Sequence, residues 1–189
     1  PALAVAQAPT VRTEVVARGL ENPWAVAFIG DGRMLVTKRP GRMRVVGANG
    51  QLGEPLAGVP AVVAQGQGGL LDVITDRDFV RNRTLYFCYA EPAASGAANS
   101  TAMASAVLSA DARQLEQVRV IFSQKPKFAS RLHFGCRIAQ AAGGKLFLAL
   151  GDRFQRMADA QTLDNHHGKV VRVKPDGGVP ADNPFLNTP

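Results

Sequence analysis

The stretch from Arg131 to Asp152, RLHFGCRIAQAAGGKLFLALGD, decides the reading of the whole chain. Two short apolar runs, marked by Ile138 in the first and by Leu146, Leu148 and Leu150 in the second, flank Gly143-Gly144. Glycine reaches positive φ without a Cβ clash, so a Gly-Gly pair between two such runs signals a hairpin turn. The stretch therefore predicts strand, tight turn, strand. In a hairpin the start of the first strand and the end of the second lie side by side, which brings His133 toward Asp152. An imidazole beside a carboxylate is suited to acid/base work, because the carboxylate fixes the tautomer and raises the proton affinity of the ring. The same spacing also fits a His and an Asp that only satisfy loop backbone groups, since one such pair is a weak motif.

Outward from the hairpin, the same pattern repeats. Thr13 to Leu20 (TEVVARGL) reads as a strand, followed by PWAVAFIG, RMLVTKR and RMRVVG, closed in turn by Asp31-Gly32, Pro40-Gly41 and Ala48-Asn49-Gly50. A second round runs through GLLDVITD, TLYFCYA, TAMASAVLS and VRVIFS, with a polar turn at Asp78 to Arg83 and a loose Pro/Ala/Ser/Gly segment from Glu91 to Ser100. The third round begins at HFGCRIA, continues through KLFLALGD and closes with GKVVRVKPDG. Repeats built only of short antiparallel strands point to an all-β fold of propeller blades, since one twisted four-stranded sheet cannot cover its own faces and must stack on neighbours.

The long insertions, Ala61 to Gly68, Lys125 to Leu132 and Arg153 to His167, join strand ends rather than interrupt strands. Loops on a rigid scaffold are where function tends to sit. The third predicts a helical turn through Met157 to Leu163 and contains His166-His167 near Asp164. Adjacent side chains in an extended chain point opposite ways, so this is a poor chelating pair.

The chain has 189 residues, 46% of them hydrophobic and 20% charged, within the range of a globular domain with a real core. No apolar run approaches the roughly 20 residues of a membrane-spanning helix. A formal charge of +7 raises the question of an anionic partner, but the basic residues are scattered singly or in pairs such as Lys38-Arg39, without a basic helix or nucleic-acid module. Nucleic acid is therefore not an expected partner. The first eight residues, PALAVAQA, end in Ala6-Gln7-Ala8 and fit the tail of an export signal with an A-x-A cleavage site, or else a disordered tail over residues 1–12. Export implies a periplasmic or secreted protein. Cys88 and Cys136 have no metal-binding spacing; they are either one disulfide or two buried thiols, and their strand-like settings favour thiols packed as small hydrophobes.

In order along the chain, GLENPWAVAF, LVTKRPGRMRVV, GQGGLLDV, TLYFCYA, HFGCRI, LFLALGDR and GKVVRVKPDGGVPADNPF together resemble the soluble quinoprotein sugar dehydrogenases, the aldose or glucose/sorbosone dehydrogenases that use pyrroloquinoline quinone (PQQ). The resemblance extends from about Arg18 to Phe185. It implies a six-bladed β-propeller with the cofactor over the central channel, and an aldose as substrate. It further implies that His133 is the general base on the sugar C1 hydroxyl while hydride passes to C5 of the quinone, that Asp152 hydrogen-bonds His133, and that Gln67 lies beside the quinone. Calcium is implied as a second cofactor, with most of its ligands, and several basic residues for the quinone carboxylates, in a half of the family fold not represented here.

Two departures stand out. Cys136 occupies the place after HFG where the family usually has Gly or Ser, a small change that keeps the volume low. The larger departure is length, because residues 13–189 account for about three of six blades. Self-association to close a ring, or a complementary half-propeller chain, would cover the end blades. The competing reading is a non-catalytic half-propeller that serves as an assembly or binding module. A propeller hydrolase has less to support it, for no Ser, Cys or paired carboxylates carry a nucleophile signature.

Overall fold

Most of the short apolar runs become strands in the computed structural model, which describes residues 11–186. The first sheet is β1 (Pro23–Gly30), β2 (Arg33–Lys38), β3 (Arg42–Val46) and β4 (Leu52–Pro55). The second is β5 (Leu70–Thr75), β6 (Thr84–Pro92), β7 (Asn99–Leu108) and β8 (Leu115–Ser123), with the one-turn helix α1 (Phe79–Asn82) between β5 and β6. The third is β9 (Gly135–Gln140), β10 (Leu146–Leu150) and β11 (Val170–Val173). Neighbours in sequence are neighbours in space throughout, and every pairing within the sheets is antiparallel. The third sheet has three strands among the described residues, where four were expected.

The sheets stack face to face, and the middle one is buried on both sides. Leu85, Phe87 and Tyr89 of β6 face the first sheet in a cluster with Ile29, Leu35 and Met43. Tyr86, Cys88 and Ala90 face the other way and join Ile138, Leu146 and Leu148. A strand buried on both faces must be apolar at every position, which is why TLYFCYA shows no alternation. Polar side chains also cross between sheets. Thr101 Oγ1 donates to Phe134 O over 2.7 Å, and Asp72 Oδ2 accepts from Ile138 N–H over 2.8 Å.

Three expectations change. Thr13 to Leu20 forms no strand; Val15 and Val16 are exposed, and the segment has no ladder partner among the described residues. The fourth strand of the first sheet is instead β4, whose sequence LGEP is too short and too polar to announce itself. The two cysteines are not thiols: Cys88 of β6 and Cys136 of β9 form a disulfide with Cα atoms 5.9 Å apart, within the ordinary range for the bond. Their strand settings were legible, but nothing local tells that these strands face each other across the junction of two sheets. The export-signal reading of the N-terminus concerns residues 1–10, outside the described residues, and positions 11 and 12, which are exposed and in no strand or helix.

At the outer end of the same junction, Asp76 Oδ2 accepts from Tyr86 Oη over 3.0 Å and from Gln140 Nε2 over 2.8 Å, while Oδ1 accepts from Asn82 Nδ2. Burial pushes its carboxyl pKa up, but the hydrogen bonds from Asn82, Gln140, the Asp78 amide and Tyr86 outweigh this and hold it below the ordinary value. A carboxyl with a depressed native pKa contributes stability above its unfolded pKa, and that contribution disappears as pH falls through the native value. The junction should therefore weaken below about pH 4, and Asp76→Asn should flatten the acid limb of a plot of melting temperature against pH. An unchanged limb would contradict this assignment.

The disulfide spans 48 residues of sequence. By loop-closure entropy that is about 4 kcal/mol of stabilisation. The Cys88→Ala/Cys136→Ala pair should melt well below the parent under oxidising conditions, and dithiothreitol should bring the parent down toward the variant. Equal melting points in oxidant would refute the cross-link.

Candidate active site

The hairpin of β9 and β10 sets the site. Its turn closes as expected, with Ala141 N–H on Lys145 O and Gly144 N–H on Ala141 O, both at 2.9 Å. At the open end the two chains come closer than side chains allow. A Cβ on Gly151 would lie 1.9 Å from His133 O, and one on Gly135 would lie 2.5 Å from the Gly151 nitrogen. The glycines of HFG and LGD are thus required by backbone proximity. Gly151 N–H donates to Phe134 O (3.0 Å) and Arg153 N–H to His133 O (3.2 Å), which continues the ladder past the last regular pair.

This ladder brings His133 Nδ1 to 2.8 Å from Asp152 Oδ1. The same oxygen accepts from Phe154 N–H at 2.8 Å. Desolvation raises the Asp152 pKa, but the His133 hydrogen bond, the Phe154 amide and the charge interaction with His133 together outweigh it, so the carboxyl lies below its usual range. An ionised carboxylate only accepts, so Nδ1 carries the shared proton and, in the neutral ring, Nε2 holds the free lone pair. The His133 side chain is 43% exposed, and the edge of its ring meets Phe154 with centroids 5.2 Å apart. The exposed nitrogen is placed to take a proton from a ligand.

Gln67 arrives from the loop before β5. Its Oε1 accepts from the His133 amide over 2.8 Å, and its own amide donates to Arg131 O over 2.9 Å. Arg39 Nη1 holds the loop on both sides of Gln67, donating to Gly66 O (2.9 Å) and Gly68 O (3.3 Å). His133, Asp152 and Gln67 therefore form one cluster, with Gln67 attached through the backbone of His133. Gln67 Nε2 has no hydrogen bond among the described residues and remains available as a donor.

His166 and His167 lie apart from this cluster. His166 Nδ1 accepts from Lys125 N–H at 3.0 Å, and its pKa is lowered by burial first and then by the charges of Lys125, His167 and Lys169. His167 is fully buried between Asp159 Oδ2 (2.8 Å) and Pro126 O (3.1 Å). The helical turn expected nearby is a 3₁₀ turn at Met157–Gln161. No group of three or more His, Cys, Asp or Glu that could hold a metal exists among the described residues. Arg39 and Arg153 were missed as parts of the site, because a guanidinium that grips backbone carbonyls leaves no spacing signature.

Stacked antiparallel meanders, with a partly exposed His-carboxylate pair at the loop end, are the architecture of a β-propeller protein. The sequence pattern of the glucose/sorbosone dehydrogenase family matches residues 20–189, and the chain belongs to that family. It is 43% identical over 178 residues to the aldose sugar dehydrogenase YliI of Escherichia coli, covering 94% of this chain and 47% of that protein. The crystal structure of the soluble aldose sugar dehydrogenase of Escherichia coli in its apo form superposes with a TM-score of 0.88 at 42% identity, over 93% of this chain and 50% of that one. The PQQ-bound aldose sugar dehydrogenase of Streptomyces coelicolor gives a TM-score of 0.78 at 27% identity, over 92% and 50%. The chain spans about half the length of the curated relatives it matches.

The Gln67 contact yields a direct test. Gln67→Ala removes the acceptor from the His133 amide and should speed its hydrogen exchange by up to about tenfold, since one hydrogen bond contributes about 0.5–1.5 kcal/mol. Gln67→Glu keeps an acceptor oxygen and should restore protection. Parent-like exchange in Gln67→Ala would mean that this bond does not hold the His133 backbone.

Proposed function

We propose that the protein oxidises aldose sugars at the anomeric carbon with PQQ as cofactor. The observation that carries this reading is the hydrogen bond of His133 Nδ1 to Asp152, which turns Nε2 outward as a base. The relatives support it, in that one named an aldose sugar dehydrogenase binds PQQ. The residues present also suit a flat quinone: Gln67 Nε2 offers a donor beside an imidazole lone pair, with Phe154 as an apolar wall.

PQQ, when bound, would supply the two-electron oxidant for the anomeric C–H bond. His133 Nε2 takes the proton of the C1 hydroxyl, so that the C1–O bond gains double-bond character as the C–H bond breaks. Asp152 holds the ring in the required tautomer and stabilises the imidazolium that results. Gln67 would hold the His133 backbone amide through Oε1, and its own Nε2 would be the donor left for the quinone. Calcium, which the family resemblance implies, finds no donor cluster among the described residues, and no step is assigned to it.

The disulfide between Cys88 and Cys136 supports export to an oxidising compartment such as the periplasm. No helix among the described residues is long and apolar enough to cross a membrane. The outer face of the first sheet exposes Trp24 (49%), Val26 (51%) and Phe28 (75%), and the third sheet exposes Val170. These faces are proposed to be covered by further blades, from the same chain or from an associating copy. A single-sheet-faced monomer of these residues at micromolar concentration in sedimentation would count against association, and would favour the alternative of a small binding module.

The functional test is addition of PQQ and calcium to the protein, followed by the bound-cofactor absorbance and by dye reduction with aldoses. In the active protein, His133→Ala should lower kcat about 10²- to 10⁴-fold while cofactor affinity changes little. Asp152→Asn should lower kcat less than His133→Ala does, because the base remains but loses the carboxylate that supports the imidazolium. A His133→Ala rate within about threefold of the parent would remove the base from the mechanism.

A further inference from the structure

Directly behind the acid/base pair lies a second pair, made by the next residue on each side, Phe134 and Arg153. His133 is exposed, whereas Phe134 and Arg153 are buried, Arg153 completely. The guanidinium lies 3.7 Å from the centroid of the Phe134 ring. Its Nη2 donates to Asn99 Oδ1 at the start of β7 and, over 2.7 Å, to Ser130 O in the loop before β9. The Arg153 carbonyl accepts in return from Ser130 Oγ at 3.0 Å. Nε and Nη1 have no hydrogen-bond partner, and no carboxylate pairs with the cation among the described residues.

Such a group is expensive to keep. A buried cation without a counter-ion is destabilising relative to an apolar side chain of similar volume. Burial alone lowers its pKa to about 10, which still leaves the charge in place at neutral pH. A leucine would fill the space at less cost, so stability does not account for arginine here. The partners do: Asn99, Ser130, Phe134 and the Arg153 backbone belong to the segments that converge on His133 and Asp152.

We infer that Arg153 is the positioning residue of the acid/base pair, gripping Phe134 by its ring face and Asn99 and Ser130 by their oxygens so that His133 Nδ1 stays on Asp152. Both loops carry left-handed non-glycine residues there, His133 at φ 48° and Arg153 and Phe154 at 62° and 64°. Such backbone is held only where its surroundings over-determine it. Arg153 provides that constraint from inside, as Gln67 does from outside. The inference rests on the reading of His133 as a base for its purpose, but its test reads the hydrogen bond itself.

The experiment follows the low-field Nδ1 proton of His133 by NMR in the intact protein without cofactor, with His133→Ala to identify the resonance. Arg153→Met keeps the length of the side chain and its contact with Phe134 but removes the donors; Arg153→Lys keeps a cation and a donor. The proton should remain in the Lys variant and exchange with water at least tenfold faster in the Met variant. A residue that only stabilises the fold would lower the melting temperature of both variants and leave the proton of the folded protein unchanged. A Met variant that is folded and exchanges at the parent rate overturns the inference. Should it fail to fold, Asn99→Ala decides instead, because it removes one anchor while Arg153 remains: faster exchange supports the inference and parent-like exchange overturns it. Loss of the proton in a protein that shows no aldose oxidation with PQQ would leave the positioning role standing and remove the dehydrogenase reading alone.

Discussion

The site depends on one close backbone approach, where Gly151 passes His133 O with no room for a side chain. The contact of His133 with Asp152 is downstream of it. The approach extends the β9–β10 ladder beyond its regular pairs, and the extension sets the carboxylate of Asp152 against the ring of His133. Were Gly151 replaced by alanine, the added carbon would meet a carbonyl oxygen rather than a flexible side chain. The two chains would have to separate, and a 2.8 Å hydrogen bond does not survive a displacement of that kind.

Behind this approach the sheets supply rigidity in a particular order. The middle sheet is apolar on both faces and holds the first and third in place, so the end of β9 is fixed by packing before any polar contact is made. The Cys88–Cys136 disulfide then ties β6 to β9 only three residues from His133. Gln67, in the loop that leads from the first sheet to the second and held by Arg39 of the β2–β3 turn, reaches the same backbone from another direction. Three sheets thus meet at one imidazole, and none of them contributes a charge that would neutralise it except Asp152. The arrangement separates tasks: apolar faces set position, backbone hydrogen bonds set direction, and one carboxylate sets the proton.

Most of the fold was legible because its signals are local. Turn pairs such as Asp31-Gly32 and Gly143-Gly144 stand between β-rich runs, and each names its own boundary. The exceptions share a cause. Thr13 to Leu20 has strand chemistry but no ladder partner among the described residues, while β4 has poor strand chemistry and finds one; edge strands are decided by what lies beside them. The cysteine pair was misjudged for a related reason, since a bond between sheets is a fact about stacking, not about either strand. In the site, His133 and Asp152 could be placed near each other by hairpin geometry alone. Gln67 came only through resemblance, and Arg39 and Arg153 not at all, because their targets are carbonyl oxygens that every residue possesses.

The backbone of the site carries local strain. His133, Cys136, Arg153 and Phe154 all have positive φ without being glycine. Each such residue costs on the order of 1 kcal/mol or more against relaxed backbone. Their concentration in two short segments means that the site opposes folding locally, and the fold has to offset this nearby. It does so with interactions that hold in either protonation state of His133: a covalent bond at Cys136, an aromatic face under Arg153 and an amide acceptor on His133. A network that relied on the imidazolium for its own cohesion would loosen each time the proton left. The restraint of this site is therefore independent of the protonation state of His133, as the proposed role of that residue as a base would require.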